Sequence, residues 1–294
     1  MNNFRFVDDW KQDKQLDVFR YLEKKLGEDL IREEEVTISP ATQSEALAIA
    51  KERRKIQGLK TGVPSLDDPI FFGGLHPGSL YVVGGNTGVG KTLFVCNVVL
   101  QTVLNSAKKT LFLTTEMPYS AIVERLATIW KSVMPGDEEN FLALPIEYVD
   151  NQATITTDLI RKFLEEREYE FLVVDNLQWF SRGGANIAES TGLATQALKK
   201  LAIEFDLPVL LVSHLNRESY RQSDPDMNNL KGSSYIEQDA DGVLILSRNT
   251  DGSADDKYDS NIIRVSMRKN RLTGNLRSFI LHSDMHNLLR EIPS

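Results

Sequence analysis

The chain has 294 residues, 41% of them hydrophobic, which is enough to bury the core of one large domain, with or without an appendage, and excludes a disordered chain. A formal net charge of −8 excludes a whole-molecule basic footprint, so any contact with nucleic acid must come from a local basic patch. No apolar run is long enough to span a membrane, and the single cysteine, Cys96, excludes a disulfide framework and fits a reducing cytosol.

The opening MNNFRFVDDWKQDKQ has no basic stretch leading into an apolar one, so no signal peptide is expected. Residues 1–57 are charged and read as helical. Leu16, Phe19, Leu22, Leu26 and Leu30 recur three or four apart. Ser39-Pro40 breaks that pattern before a second helix over roughly 41–56, with Ala46, Leu47, Ile49 and Ala50 as its apolar positions. GLKTGVPSLDD is a turn-rich join. We expect 1–57 to be a helical N-terminal segment or linker, packed on its own domain or on a neighbouring subunit, and 58–294 to be one α/β domain.

From about residue 58, short apolar runs alternate with helical patterns. LYVVG (80–84), TLFLTT (110–115), FLVVD (171–175), PVLLV (208–212) and GVLIL (242–246) read as buried strands. NIIRVS and RSFILH flank MRKNRLTGNL and read as a hairpin. In 119–133, Ile122, Leu126, Ile129, Trp130 and Val133 make one apolar stripe; in 187–205, Leu193, Ala197, Leu198, Leu201 and Phe205 make another. Strands alternating with helices predict a mainly parallel sheet covered on both faces. The four histidines are scattered apart from His282 and His286. That pair falls at a strand end and turn, so no metal site is expected there.

Gly85-Asn86-Thr87-Gly88-Val89-Gly90-Lys91-Thr92 fits G-x-x-x-x-G-K-[ST], with a strand before it and a helix after it. Glycines let the backbone wrap so that successive N–H groups face phosphate oxygens, and the following helix adds the positive end of its dipole. Lys91 is expected at the β- and γ-phosphates of ATP or GTP, and the Thr92 hydroxyl on Mg²⁺. The bland alternative is a glycine-rich turn.

Hydrolysis needs a carboxylate near the metal and another to activate water. Asp175 ends the apolar strand FLVVD, at the ligand edge of such a sheet, and is assigned to Mg²⁺. Glu116 ends TLFLTTE before Met117-Pro118 and reaches the same edge as the base that orients water. His214, after PVLLVS, is a candidate γ-phosphate sensor. Each has a structural alternative: an ordinary turn aspartate, an acid at a helix start, a satisfied polar histidine.

Five segments occur in a telling order: TGVPSLDDPIFFGGLHPGSLYVVGGNTGVGKT, TTEMP, FLVVDNLQWF, VSHLNRE and GSSYIEQDADGVLIL. Together they resemble the RecA-like motor domain of the DnaB-type replicative helicases, over roughly residues 58–292. The resemblance implies that Lys91 and Thr92 are the nucleotide-loop Lys and Thr, Glu116 the catalytic glutamate, Asp175 the magnesium-linked aspartate and His214 the polar sensor. Arg268-Lys269-Asn270-Arg271 resembles the basic hairpin that reaches into a neighbouring subunit, with Lys269 and Arg271 as trans-acting lysine and arginine finger. A solvated basic hairpin or a nucleic-acid contact is the alternative. In the family, loops matching RESYRQSDPDMNNLKGSSYIEQDAD line a central channel. This implies single-stranded DNA contacts by Arg217, Arg221, Lys231, Gly232 and Ser233, against the alternative of a surface loop.

The chain departs from the family in several places. No primase or zinc module and no helical N-terminal domain of the cellular type is recognisable. Asn176 replaces a residue often aromatic in cellular members. The expected fold is α/β: a RecA-like P-loop NTPase core with a mainly parallel twisted sheet, helices on both faces, a C-terminal β-hairpin and a short helical N-terminal segment. The expected function is an ATP- and Mg²⁺-dependent helicase. It would form a homo-hexameric ring, translocate 5′→3′ on single-stranded DNA, work beside primase or other replisome proteins, and reside in the cytoplasm, a host's if phage-encoded. The rivals are a RecA-like recombinase, and an ATP-binding helicase loader or regulatory module.

Overall fold

The computed structural model describes residues 41–53, 55–150, 155–176, 187–216, 225–230, 233–248 and 261–292, and of 187–190 and 233 only the backbone. The apolar positions predicted between Leu16 and Leu30 lie outside these residues. The chain divides into two compact units between Arg54 and Lys55. In the first, α1 runs over Gln43–Arg53 and buries no residue, so its apolar positions Leu47 and Ile49 stay exposed.

The second unit is built on a nine-stranded sheet. In chain order its main elements are β1 (Leu80–Gly85), α2 (Lys91–Ser106), β2 (Thr110–Thr114), α3 (Tyr119–Val133), β3 (Ile146–Asp150), α4 (Thr157–Glu166), β4 (Phe171–Asp175), α5 (Ile187–Glu204), β5 (Val209–His214), α6 (Ser233–Asp239), β6 (Gly242–Ser247), β7 (Ile262–Asn270), β8 (Ser278–Ser283) and β9 (Leu289–Ile292). The strand order is β3-β2-β4-β5-β1-β6-β7-β8-β9. The strands from β3 to β6 pair in parallel, and β7, β8 and β9 continue the sheet antiparallel.

Alternation along each strand makes two cores, one on each face. Tyr81 and Val83 of β1 and Phe171 and Val173 of β4 face α2 and α3, where Ile122, Leu126, Ile129 and Trp130 are buried. Burying each such aliphatic side chain stabilises the fold by roughly 1.5–3 kcal/mol. Leu80, Val82, Leu172 and Val174 face the other way, against Ile160 and Leu164 of α4 and Leu198 and Leu201 of α5. The predicted stripe of α5 needs one correction. Leu193 is 62% exposed, and the buried face passes through Thr191, Ala194, Thr195, Leu198, Leu201 and Ala202. Ala194 and Thr195 lie four and three residues before Leu198, whereas Leu193 lies five before it and turns away from the sheet.

The parallel strands all end at one edge. Asp175 stands opposite Thr114 in the β2–β4 pair, and His214 opposite Gly85 in the β5–β1 pair. The carboxyl ends of β2, β4, β5 and β1 are therefore level and adjacent, the place where open α/β sheets bind ligands.

Candidate active site

The loop after β1 folds as its glycines require. Gly88 and Gly90 have φ of 80° and 107°, in the left-handed region that Cβ-bearing residues avoid. Gly90 is also the N-cap of α2, so the helix starts at Lys91 with its first N–H groups facing the loop. A Cβ on Gly85 would lie 2.7 Å from Val89 Cγ1 and 3.0 Å from the Leu246 carbonyl oxygen. The Lys91 ammonium, only 6% exposed, donates to the carbonyls of Gly85 at 2.9 Å and Asn86 at 3.0 Å. Burial pulls it down to about 8, against the opposing charges of Asp175 and Glu116.

At the next residue, Thr92 Oγ1 donates to Asp175 Oδ2 at 2.7 Å. The other carboxylate oxygen, Oδ1, is buried and has no hydrogen-bond partner among the described residues. Burial pushes this carboxyl up to about 6; the Thr92 hydroxyl opposes the shift, Glu116 adds to it and Lys91 counters it. A hydroxyl and a carboxylate with one unsatisfied oxygen, beside a phosphate loop, form a hard-oxygen set suited to Mg²⁺.

The ends of β2 and β4 are laced together. Thr115 N donates to the Asp175 carbonyl at 2.7 Å, and Asn176 N donates to Thr115 Oγ1 at 2.9 Å. This holds the Asn176 side chain beside Glu116, two residues past the end of β2. Asn176 Nδ2 donates to Glu116 Oε2 at 2.7 Å and lies 2.9 Å from His214 Nε2. His214 Nε2 is itself 3.4 Å from Glu116 Oε2. An amide nitrogen only donates, so in its hydrogen bond with Asn176 the His214 Nε2 atom is the acceptor. Glu116 is 44% exposed and His214 only 18%, so the carboxylate faces the solvent side of a buried support.

The loop, Glu116, Asp175 and His214 thus come together. Two residues to which the sequence assigned no role join them. Asn176 bridges Glu116 and His214. Arg248, just past β6, donates through Nε to the Val89 carbonyl at 3.2 Å and so lies over the loop. Position alone could have flagged both, since each follows the end of a strand adjoining β5 or β1.

Lys269 and Arg271 do not join that group. β6 runs parallel to β1, with Gly85 opposite Leu246, and β7 runs antiparallel to β6, with Gly242 opposite Asn270. The basic hairpin therefore stands at the amino edge of the sheet, roughly 13 Å of strand away from the level of the loop. There Lys269 donates to the Glu237 carbonyl, and Arg271 to the Gln238 carbonyl and the Asp241 carboxylate. Arg217, Arg221, Lys231 and Gly232 lie outside the described residues. Ser233 opens α6, its side chain undescribed.

A six-stranded parallel run with a glycine-rich loop at its switch point, and with carboxylates past the neighbouring strand ends, defines a P-loop fold of RecA-like architecture. More narrowly, the chain belongs to the DnaB-like helicase C-terminal domain family, whose model matches residues 58–140 and 139–285. It is 30% identical over 217 residues to a probable plasmid replicative DNA helicase of Chlamydia psittaci, covering 66% of this chain and 47% of that protein. It is 29% identical over 283 residues to the replicative DNA helicase DnaB of Mycoplasma pneumoniae, covering 83% of this chain and 57% of that one. The chain thus spans about half the length of the curated relatives it matches. Among solved structures, a DnaB-like replicative helicase studied for its interactions with primase superposes with a TM-score of 0.68 at 19% identity, over 97% of this chain and 77% of that one. A KaiC-like protein from Pyrococcus horikoshii superposes at 0.61 and 18%, over 81% of this chain and all of the other. At such identities these likenesses show the fold alone. None of the described helices is long and apolar enough to cross a membrane.

Proposed function

We propose that this chain is the ATP-hydrolysing motor of a replicative DNA helicase, with residues 58–294 as the motor domain and 1–57 as the segment attached to it. The observation that carries the reading is the Asn176 amide, which ties Glu116 and His214 together beside the Thr92–Asp175 pair. A glycine-rich turn without chemistry has no use for two carboxylates and a histidine on one edge.

The loop N–H groups and Lys91 hold the phosphates of ATP. Thr92 and Asp175 supply the oxygens for Mg²⁺, which when bound neutralises charge on the phosphates. Glu116 accepts a hydrogen bond from the attacking water and orients it. Asn176 keeps that carboxylate in place and transmits its position to His214. His214 ends β5, the strand that leads into the segment holding Arg217, Arg221 and Lys231. These residues and Ser233 are proposed to follow the backbone of single-stranded DNA, copies of Lys231 lining a ring.

The location of Lys269 and Arg271 at the far edge supports a role at another copy's nucleotide. Neither can serve the loop of its own chain. A guanidinium brought from a neighbour stabilises charge developing on the transferring phosphoryl group and makes hydrolysis depend on assembly. Ile70, Leu272 and Leu276 beside it are 61%, 60% and 55% exposed, apolar surface of the kind a second copy covers. A homo-hexameric ring that works with primase in the cytoplasm, a host's if phage-encoded, completes the reading.

The test is steady-state ATP hydrolysis with and without single-stranded DNA, on wild type, Glu116→Gln and Arg271→Ala. DNA stimulation in wild type, lost in both variants while nucleotide binding persists, is expected. Stimulation absent in wild type would refute a DNA-driven motor.

A further inference from the structure

The Arg271 side chain is 49% exposed, and a solvated arginine on a hairpin end samples many rotamers. Here it is held. Its backbone N–H donates to the Asp241 carbonyl at 2.7 Å, its Nη1 to Asp241 Oδ1 at 3.3 Å and its Nη2 to the Gln238 carbonyl. Asp241 sits between α6 and β6, and its carboxylate is 15% exposed. The second oxygen, Oδ2, accepts from the backbone of Leu80, the first residue of β1, at 2.8 Å and from Lys199 Nζ of α5 at 2.6 Å. Lys199 also donates to the Gly78 carbonyl at 2.7 Å.

The two oxygens therefore have separate jobs. Oδ2 staples Asp241 to β1 and α5, and Oδ1 orients the guanidinium. The charges are divided as well. Lys199 already compensates the Asp241 carboxylate, so the group of three keeps a net positive charge on the exposed member. A lone Asp–Arg pair would neutralise the guanidinium; this triad aims it while leaving its charge for an anion.

We propose that Asp241, charge-compensated by Lys199, is the positioning residue that presents Arg271 to the nucleotide of a neighbouring copy. The inference rests on the trans reading of Arg271 above.

The decisive variant is Asp241→Asn. The amide carbonyl can still accept from Leu80 and Lys199, while its NH₂ group meets the guanidinium and repels it. DNA-stimulated turnover is expected to fall about tenfold with KM for ATP unchanged. Because the damaged group serves another subunit, mixing Asp241→Asn with Lys91→Ala should restore activity above the sum of the two alone. The Lys91→Ala subunit has a dead loop and an intact finger. A residue that merely supports its own β1 gives no such rescue. Arg271→Ala mixed with Lys91→Ala is the control. No rescue there overturns the trans reading and the inference with it. Rescue there but none with Asp241→Asn overturns the role of Asp241 alone, as does wild-type turnover or lost nucleotide binding in Asp241→Asn. If that variant does not fold, Lys199→Met decides. It keeps the carboxylate uncompensated, so slowed turnover rescued by Lys91→Ala is expected, and wild-type turnover overturns the proposal.

Discussion

The Asn176 amide nitrogen stands 2.7 Å from the Glu116 carboxylate and 2.9 Å from the His214 imidazole, so one buried side chain ties together two side chains at the ends of different strands. Replacing it with alanine leaves the loop and the Thr92–Asp175 pair untouched. Asn176→Ala should lower kcat for ATP about tenfold, the worth of one hydrogen bond to a charged group, with nucleotide affinity changed less than about twofold. Because Asn176 and His214 belong to one network, the double variant with His214→Ala should cost far less than the product of the singles. A multiplicative double variant would mean that the two act separately.

Metal dependence should depend on the charge of Asp175. Asp175→Asn keeps an acceptor for Thr92 Oγ1 and removes the ionised oxygen. Wild-type ATP affinity should rise on adding Mg²⁺ and fall again with a chelator; the variant's affinity should be nearly insensitive to both. Titration with a fluorescent ATP analogue at varied Mg²⁺ reads this directly. A variant with wild-type Mg²⁺ response would remove Asp175 from the metal site.

Lys91 gives a pH signature of known sign. Burial holds its ammonium at about 8, so the group loses its proton, and its attraction for phosphate, as the pH rises through that value. Nucleotide affinity should fall between about pH 7.5 and 9. Bound phosphate favours the charged form, so binding near pH 8.5 should take up a proton. Calorimetry in two buffers of different ionisation enthalpy measures that uptake. No uptake would place the ammonium away from the phosphates.

How much of this was legible in the sequence depends on burial. β1, β2, β4, β5 and β6 are interior strands with buried faces on both sides, so they read as unbroken apolar runs and their ends located Gly85, Glu116, Asp175 and His214. β3 (Ile146–Asp150) lies at the sheet edge, half-buried, with Glu147 accepting from Tyr169 and paired with Lys109. Its mixed composition gave no such run, and β9 was hidden for the same reason. α4 puts Ile160, Phe163 and Leu164 on the core, a short stripe within only ten residues. Asn176 and Asp241 escaped for another reason: their roles arise from contacts 60 and 161 residues distant, with Glu116 and Leu80, which no local pattern encodes.

The two left-handed glycines of the loop separate backbone strain from crowding. At Gly88, with φ of 80°, a Cβ would meet nothing within 4 Å, so Gly88→Ala bears only the left-handed penalty of about 1 kcal/mol. At Gly90, with φ of 107°, a Cβ would also lie 2.9 Å from Ile263 Cδ1, a buried side chain of β7. Gly90→Ala should therefore be the more destabilising by about 1 kcal/mol or more, because Ile263 must leave its rotamer or the start of α2 must shift. A shifted helix start also moves Lys91 and Thr92, so Gly90→Ala should weaken ATP binding more than Gly88→Ala does. Thermal unfolding and nucleotide titration of the two variants side by side measure both effects. Equal destabilisation would mean that φ alone governs the loop and that Ile263 yields without cost.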